Sequence, residues 1–139
     1  METPDATDLS SLIDRLIHTR RLLEHQLWEA ARSLSIDRSS TAGRRFAGLI
    51  EAGAMLDATL LLVAMSGRVV SNVVNTSEGW TCTIRSAAVT RAAATRSFTS
   101  SHADLPASVL ASLIFSFLNA DESPAAKRLS PAKRTVCVP

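Results

Sequence analysis

In VVSNVVNTSEGWTCTIR, residues 69–85, the apolar period drops from the helical value of about 3.6 to the extended value of about 2. Val69-Val70-Ser71-Asn72-Val73-Val74 is a short β-branched run. Asn75-Thr76-Ser77-Glu78-Gly79 is turn chemistry, and Trp80-Thr81-Cys82-Thr83-Ile84-Arg85 alternates, with Trp, Cys and Ile on one face. The stretch therefore predicts a β-hairpin with a loop over 75–79. Placing Val74 opposite Trp80 sets Asn72 against Cys82 and Val70 against Ile84.

On both sides the pattern is helical. Upstream, Leu9, Leu12, Leu16, Leu23, Leu27, Ala30 and Leu34 recur at three- and four-residue steps, which predicts one amphipathic helix over 8–34 with Asp8 as its N-cap. The polar run 35–42 is a break. A second helix is expected from Thr41–Gly43 to Met65 or Ser66, apolar nearly all round, with Gly67 just beyond its end. Downstream, residues 86–101 read as a short helix or an irregular connection. Asp104 then caps a final helix with Pro106 in its first turn and Val109, Leu110, Leu113, Ile114, Phe117 and Leu118 on its core face, ending near Asn119. The fold class is α+β: an amphipathic N-terminal helix, a central apolar helix, a β-hairpin, a C-terminal helix and a flexible basic tail. As domains this gives a flexible N-terminus over 1–7, one α+β domain over 8–120, and a disordered basic tail over 121–139.

The chain has 139 residues, 46% of them hydrophobic and 20% charged, with five Gly and five Pro, which excludes a disordered polymer or a collagen. A net charge of +2 announces no nucleic-acid binder by itself. Two cysteines, Cys82 and Cys137, make no disulfide framework, and the acidic start Met1-Glu2-Thr3-Pro4-Asp5 does not read as a signal peptide, so a cytoplasmic setting is expected. Residues 46–65, FAGLIEAGAMLDATLLLVAM, are long enough for a bilayer but carry Glu51 and Asp57. Each acidic residue near mid-bilayer costs about 2.5–3.5 kcal/mol on insertion scales, so a buried helix is the better reading and no membrane partner is expected.

Three stretches, LIEAGAMLDATLLLV (49–63), GWTCTIR (79–85) and HADLPASVLASLIFSFLNA (102–120), carry a resemblance. Over residues 43–120 the chain resembles small uncharacterised proteobacterial proteins in which an acidic, Ala-rich helix precedes a Gly-Trp-x-Cys strand and a His-x-Asp-Leu stretch opens the last helix. The resemblance implies a bacterial, cytosolic setting and brings no activity or cofactor. The basic tail here is longer than such proteins would lead one to expect.

Candidate chemistry is sparse. Asp14, His18, His25 and Glu29 share one helical face, but a single helix does not wrap an ion and Arg21 lies between the histidines; the reading is a solvated face, and no metal is assigned. The enzymatic candidates are Cys82 with His102, and Glu51 in the apolar helix, each beside a plain reading: a packed core thiol for Cys82, an exposed or ion-paired carboxylate for Glu51. No phosphate loop, HExxH, CxxC or GxSxG is present, and no cofactor is expected. Lys127, Arg128, Lys133 and Arg134 in the tail give a weak, sequence-blind nucleic-acid reading, with no interleaved aromatic residue.

A lone hairpin has two bare edges and is marginal in water. Hence a third strand is expected from the tail or from a second copy, with Val70, Val74, Trp80 and Ile84 as the partner-binding set. The leading reading is a non-enzymatic, regulatory or interaction module acting as a homodimer or docked on a larger protein. The alternatives are a small enzyme using Cys82, His102 or Glu51, and a nucleic-acid accessory protein acting through its tail.

Overall fold

The alternation of Trp80, Cys82 and Ile84 does build a strand, and the strand is the middle of a sheet. A computed structural model describes residues 6–86 and 97–119. It is an α+β structure with the order α1 (Ala6–Ile17), α2 (Glu24–Ser33), α3 (Thr41–Glu51), α4 (Met55–Met65), β1 (Arg68–Thr76), β2 (Gly79–Ser86), β3 (Ser97–His102) and α5 (Leu105–Leu118). The strands form one antiparallel sheet in the order β1-β2-β3. The tail, with Lys127, Arg128, Lys133 and Arg134, lies outside the described residues.

The third strand comes from neither the tail nor a second copy. Ser97–His102, within the segment read as a short helix or an irregular connection, pairs with β2 along its whole length, from Arg85↔Ser97 to Trp80↔His102. Phe98 and Thr99 favour a strand, whereas the serines around them favour turns, so pairing with β2 decides the state of the segment. Thr83 and Thr99 hydroxyls meet at 2.9 Å, and Thr81 and Ser101 at 2.8 Å, across the two strands.

The hairpin is tighter than expected. Only Ser77 and Glu78 stand between Thr76 and Gly79, which pair. Gly79 holds φ +125, and a Cβ there would fall 2.6 Å from the His102 carbonyl oxygen, so both backbone and neighbour demand glycine. Val70 does face Ile84, but the register slips between Val70 and Asn72. Beyond that bulge Val73 lies opposite Cys82, Val74 opposite Thr81 and Asn75 opposite Trp80, one residue away from the expected pairing.

Both long helices divide. The first breaks between Ile17 and Glu24 although no Gly or Pro is there. Polar groups hold the break: Thr19 Oγ1 donates to the Arg15 carbonyl at 2.7 Å, Gln26 Nε2 donates to Thr19 Oγ1 at 3.1 Å, and Gln26 Oε1 accepts the Leu23 N–H at 3.0 Å. The Leu22 N–H donates to Asp104 Oδ2 at 2.9 Å, which sinks Leu22 into the core. The start also moves, so Asp8 lies in the first turn of α1 rather than at its cap. Arg15 then clamps α1 to α2 through a bidentate pair with Glu29, at 2.8 and 2.6 Å. The second helix breaks at Gly53, which takes φ +78 at the end of α3, with the Ala54 N–H closing back on the Leu49 carbonyl at 2.9 Å.

At the centre lies α5. It packs on β2 and β3 on one side and on α1 and α4 on others. Asp104 caps it as expected, accepting the Ala107 N–H at 3.3 Å, and Pro106 sits in its first turn. Ser108, Ser112 and Ser116 form a buried small-residue stripe, and Ser112 Oγ donates to the Cys82 carbonyl at 2.7 Å, letting helix and strand approach closely. Arg68, at the start of β1, is half-buried over the far end of α5. Its guanidinium lies 3.9 Å from the Phe117 ring centroid and donates to Ser116 Oγ at 3.1 Å. Leu9, Leu12, Leu16, Leu27, Phe46, Leu62, Ile84, Leu110, Leu113 and Ile114 are the large side chains of the core.

Candidate functional site

The fold divides the expected partner-binding set. Ile84 is fully buried among core side chains, so it contributes packing and offers nothing to a partner. Val70 is half-buried and packed on the same core, and Trp80 is half-buried between Asn75 and His102. Val74 is exposed at 42%, and its neighbour Val73 at 39%. Sequence reasoning missed Val73 because the bulge at Ser71 lies between the expected and the actual register; no residue in the run announces it.

Val73 and Val74 point to opposite faces of β1, and both are bare. The reason is the placement of α5 over β2 and β3, whereas α4 reaches β1. Among the described residues no strand lies beyond β1. From Val69 to Thr76 the strand carries no charge and no proline, the devices that usually blunt an edge. The bulge is a protection of this edge among the described residues, and it leaves the run from Asn72 to Thr76 regular.

Of the enzymatic candidates, the sheet brings Cys82 and His102 to neighbouring strands and leaves Glu51 elsewhere, at the end of α3. Cys82 and His102 sit on the same face of neighbouring strands, Cys82 opposite Ser100 and His102 opposite Trp80. The Cys82 side chain is fully buried, and burial pushes its thiol up to about 11, so it stays protonated near neutral pH. Both ring nitrogens of His102 are engaged: Nδ1 accepts the Asp104 N–H at 2.9 Å, and Nε2 donates to the Leu16 carbonyl at 3.0 Å. That pairing assigns the proton to Nε2 and makes the imidazole a brace between α1 and the mouth of α5. Glu51 ends α3 on the exposed surface, as does Asp57 in the first turn of α4, so neither is a buried acid.

The acidic and histidine face of the first helix is divided by the break. Glu29 pairs with Arg15, which holds its carboxyl below the usual range, and His18 Nδ1 bonds the Asp14 carbonyl at 2.8 Å. Among the described residues no three His, Cys, Asp or Glu side chains converge as metal ligands. Nor does any described helix have the length and apolar character to cross a membrane.

Two shallow cavities are lined by described residues. One, of about 400 Å³, lies where the α1–α2 break, the Gly53 turn and Asp104 meet. Its polar centre, Asp104, is already committed to the Leu22 and Ala107 N–H groups. The other, of about 390 Å³, lies against Trp28, Arg32 and Arg38. Neither was foreseen, because each is assembled from turns whose geometry no local motif spells out. No family model, curated protein or solved structure matches the chain.

Proposed function

We propose that this protein is a non-enzymatic interaction module that assembles through its β1 edge with a second copy of itself. The observation behind this reading is the bare, uncharged run from Asn72 to Thr76, with Val73 and Val74 exposed on its two faces. An antiparallel edge is complementary to itself across a two-fold axis, so a second copy supplies the missing hydrogen-bond partners and sets cross-strand neighbours beside both valines. The product is a continuous sheet of two three-stranded halves. A cytoplasmic, bacterial setting goes with this reading, since a free buried thiol at Cys82 suits a reducing compartment.

Light scattering coupled to size-exclusion chromatography tests it. The expected mass is twice 14.9 kDa at micromolar concentrations and above. Val74→Lys, which puts a positive charge on the edge strand of each copy, returns the protein to the single-chain mass without unfolding it. A wild-type chain that stays single up to hundreds of micromolar overturns the proposal. So does a dimer indifferent to substitution of both Val73 and Val74.

A further inference from the structure

We infer that the groove formed by Trp28, Ala31, Arg32, Ile36 and Arg38 is a binding site for a small organic oxyanion with a flat apolar body. The inference is independent of the β1 edge and lies on the α2–α3 junction.

The groove is built by a strained turn. Ser35 follows α2 at φ +60, a conformation that glycine usually supplies. The turn is closed by the Ser35 N–H on the Arg32 carbonyl at 3.0 Å and by the Ile36 N–H on the Ala31 carbonyl at 3.0 Å. This folds Ile36 back beside Ala31. Asp37 then accepts the Ser39 N–H at 2.9 Å and the Ser39 hydroxyl at 2.7 Å, which turns the chain toward α3 and brings Arg38 over Trp28. The guanidinium carbon of Arg38 stands 4.3 Å from the Trp28 ring centroid. From behind, buried Phe46 meets Trp28 edge-on, with centroids 5.3 Å apart and planes at 85°. The indole is thus braced by Phe46 through an edge contact and carries the Arg38 guanidinium over its face, while the ring remains only partly buried and lines the groove.

Charge selects the ligand. The groove is lined by two guanidiniums and no carboxylate. Of the nearby acids, Glu29 is paired with Arg15 and acts on Arg32 only at longer range, while Asp37, held by Ser39, keeps its charge and lies outside the groove lining. Among the described residues neither Arg32 nor Arg38 forms an ion pair. Guanidinium forks match carboxylate and phosphate oxygens bidentately, and none of the lining side chains is an acceptor that would favour a cation. Ala31, Ile36 and the Trp28 ring offer apolar surface beside those forks. A volume of about 390 Å³ suits a compact molecule rather than a macromolecular segment.

The test is a titration of ¹⁵N-labelled full-length protein followed by the indole N–H signals, with Trp28 as reporter and Trp80 as internal control. Three probes are used: 1-naphthoate, 1-naphthyl phosphate and the neutral 1-naphthamide. The expected result is a saturable shift of the Trp28 signal with both anions, at least about tenfold weaker for the amide and for Arg32→Gln/Arg38→Gln. Preference between the two anions then names the head group. Both arginines are exposed, so an unmoved Trp80 signal reports that the double variant keeps its fold. A Trp28 signal that stays still at about 10 mM of either anion, or that the amide moves equally well, overturns the inference.

Discussion

Cys82 shows how a residue can carry the sequence features of a nucleophile and the physics of a core side chain. Its thiol is raised from an ordinary value of 9.0 to about 11 by burial, although the Ser112 hydroxyl pulls it slightly the other way. The sign of the resulting pH effect follows directly. The unfolded chain ionises this thiol near 9 and the folded chain near 11, so the stabilisation is complete below about 9 and drains away as pH rises toward about 11. In a Cys137→Ser background, raising the pH from about 8 to about 10 should cost about 1 kcal/mol that a Cys82→Ala chain does not lose. Urea unfolding of the two chains at both pH values measures this. Equal losses in the two would show that the thiol ionises freely in the fold. His102 carries the same lesson. It resembles a base beside a cysteine, yet its two nitrogens are taken by Leu16 and Asp104, and the ring serves as a strut.

Among the elements, those with local signals were legible and those with distant causes were not. Asp104, Pro106 and the apolar run behind them specify α5 from its cap onward, and the alternation of Trp80, Cys82 and Ile84 specifies β2. The break between α1 and α2 has no local breaker; one of its anchors, Asp104, lies 82 residues away from Leu22 in sequence. β3 was hidden for a similar reason, because its three serines dilute the strand preference of Phe98 and Thr99 until β2 is there to pair with. The bulge at Ser71 then moved the exposed edge to include Val73. Asp104 is the element-scale test, since one carboxylate oxygen caps α5 and also holds the Leu22 amide. Asp104→Ala removes a cap worth about 1 kcal/mol and strands a half-buried N–H, for a total of about 2–3 kcal/mol. Asp104→Asn keeps an acceptor in place and should cost less than about 1 kcal/mol. Equilibrium unfolding gives both numbers, and amide exchange at Leu22 should accelerate in the alanine variant alone. A loss confined to α5, with Leu22 still protected, would mean that the break stands without Asp104.

Across the whole molecule, the shortage inferred from the sequence is partly met from within. A third strand completes the hairpin, α5 covers β2 and β3, and the division at Gly53 folds the apolar helix onto itself so that α3 and α4 pack together. What remains uncovered among the described residues is the outer edges of β1 and β3 and the exposed side chains of Ile17, Leu23, Leu60, Val73 and Val74. That changes what association should do. A chain short of a core would be unfolded as a single copy, whereas a chain with a closed core and an unmatched sheet edge folds alone and gains stability when its β1 edge is matched. Dimerisation through β1 should therefore make the thermal midpoint depend on concentration. A hundredfold rise in concentration adds about 2.7 kcal/mol of apparent stability when only the folded form binds, shared here between two copies, which is several degrees in Tm. Val74→Lys should show a flat midpoint at the same concentrations, at the value the wild-type chain approaches on dilution. Calorimetry over that range separates the cases. A midpoint that does not move with concentration in the wild-type chain would place the bare edge among surfaces that solvent satisfies unaided, and the β1 pairing would fall with it.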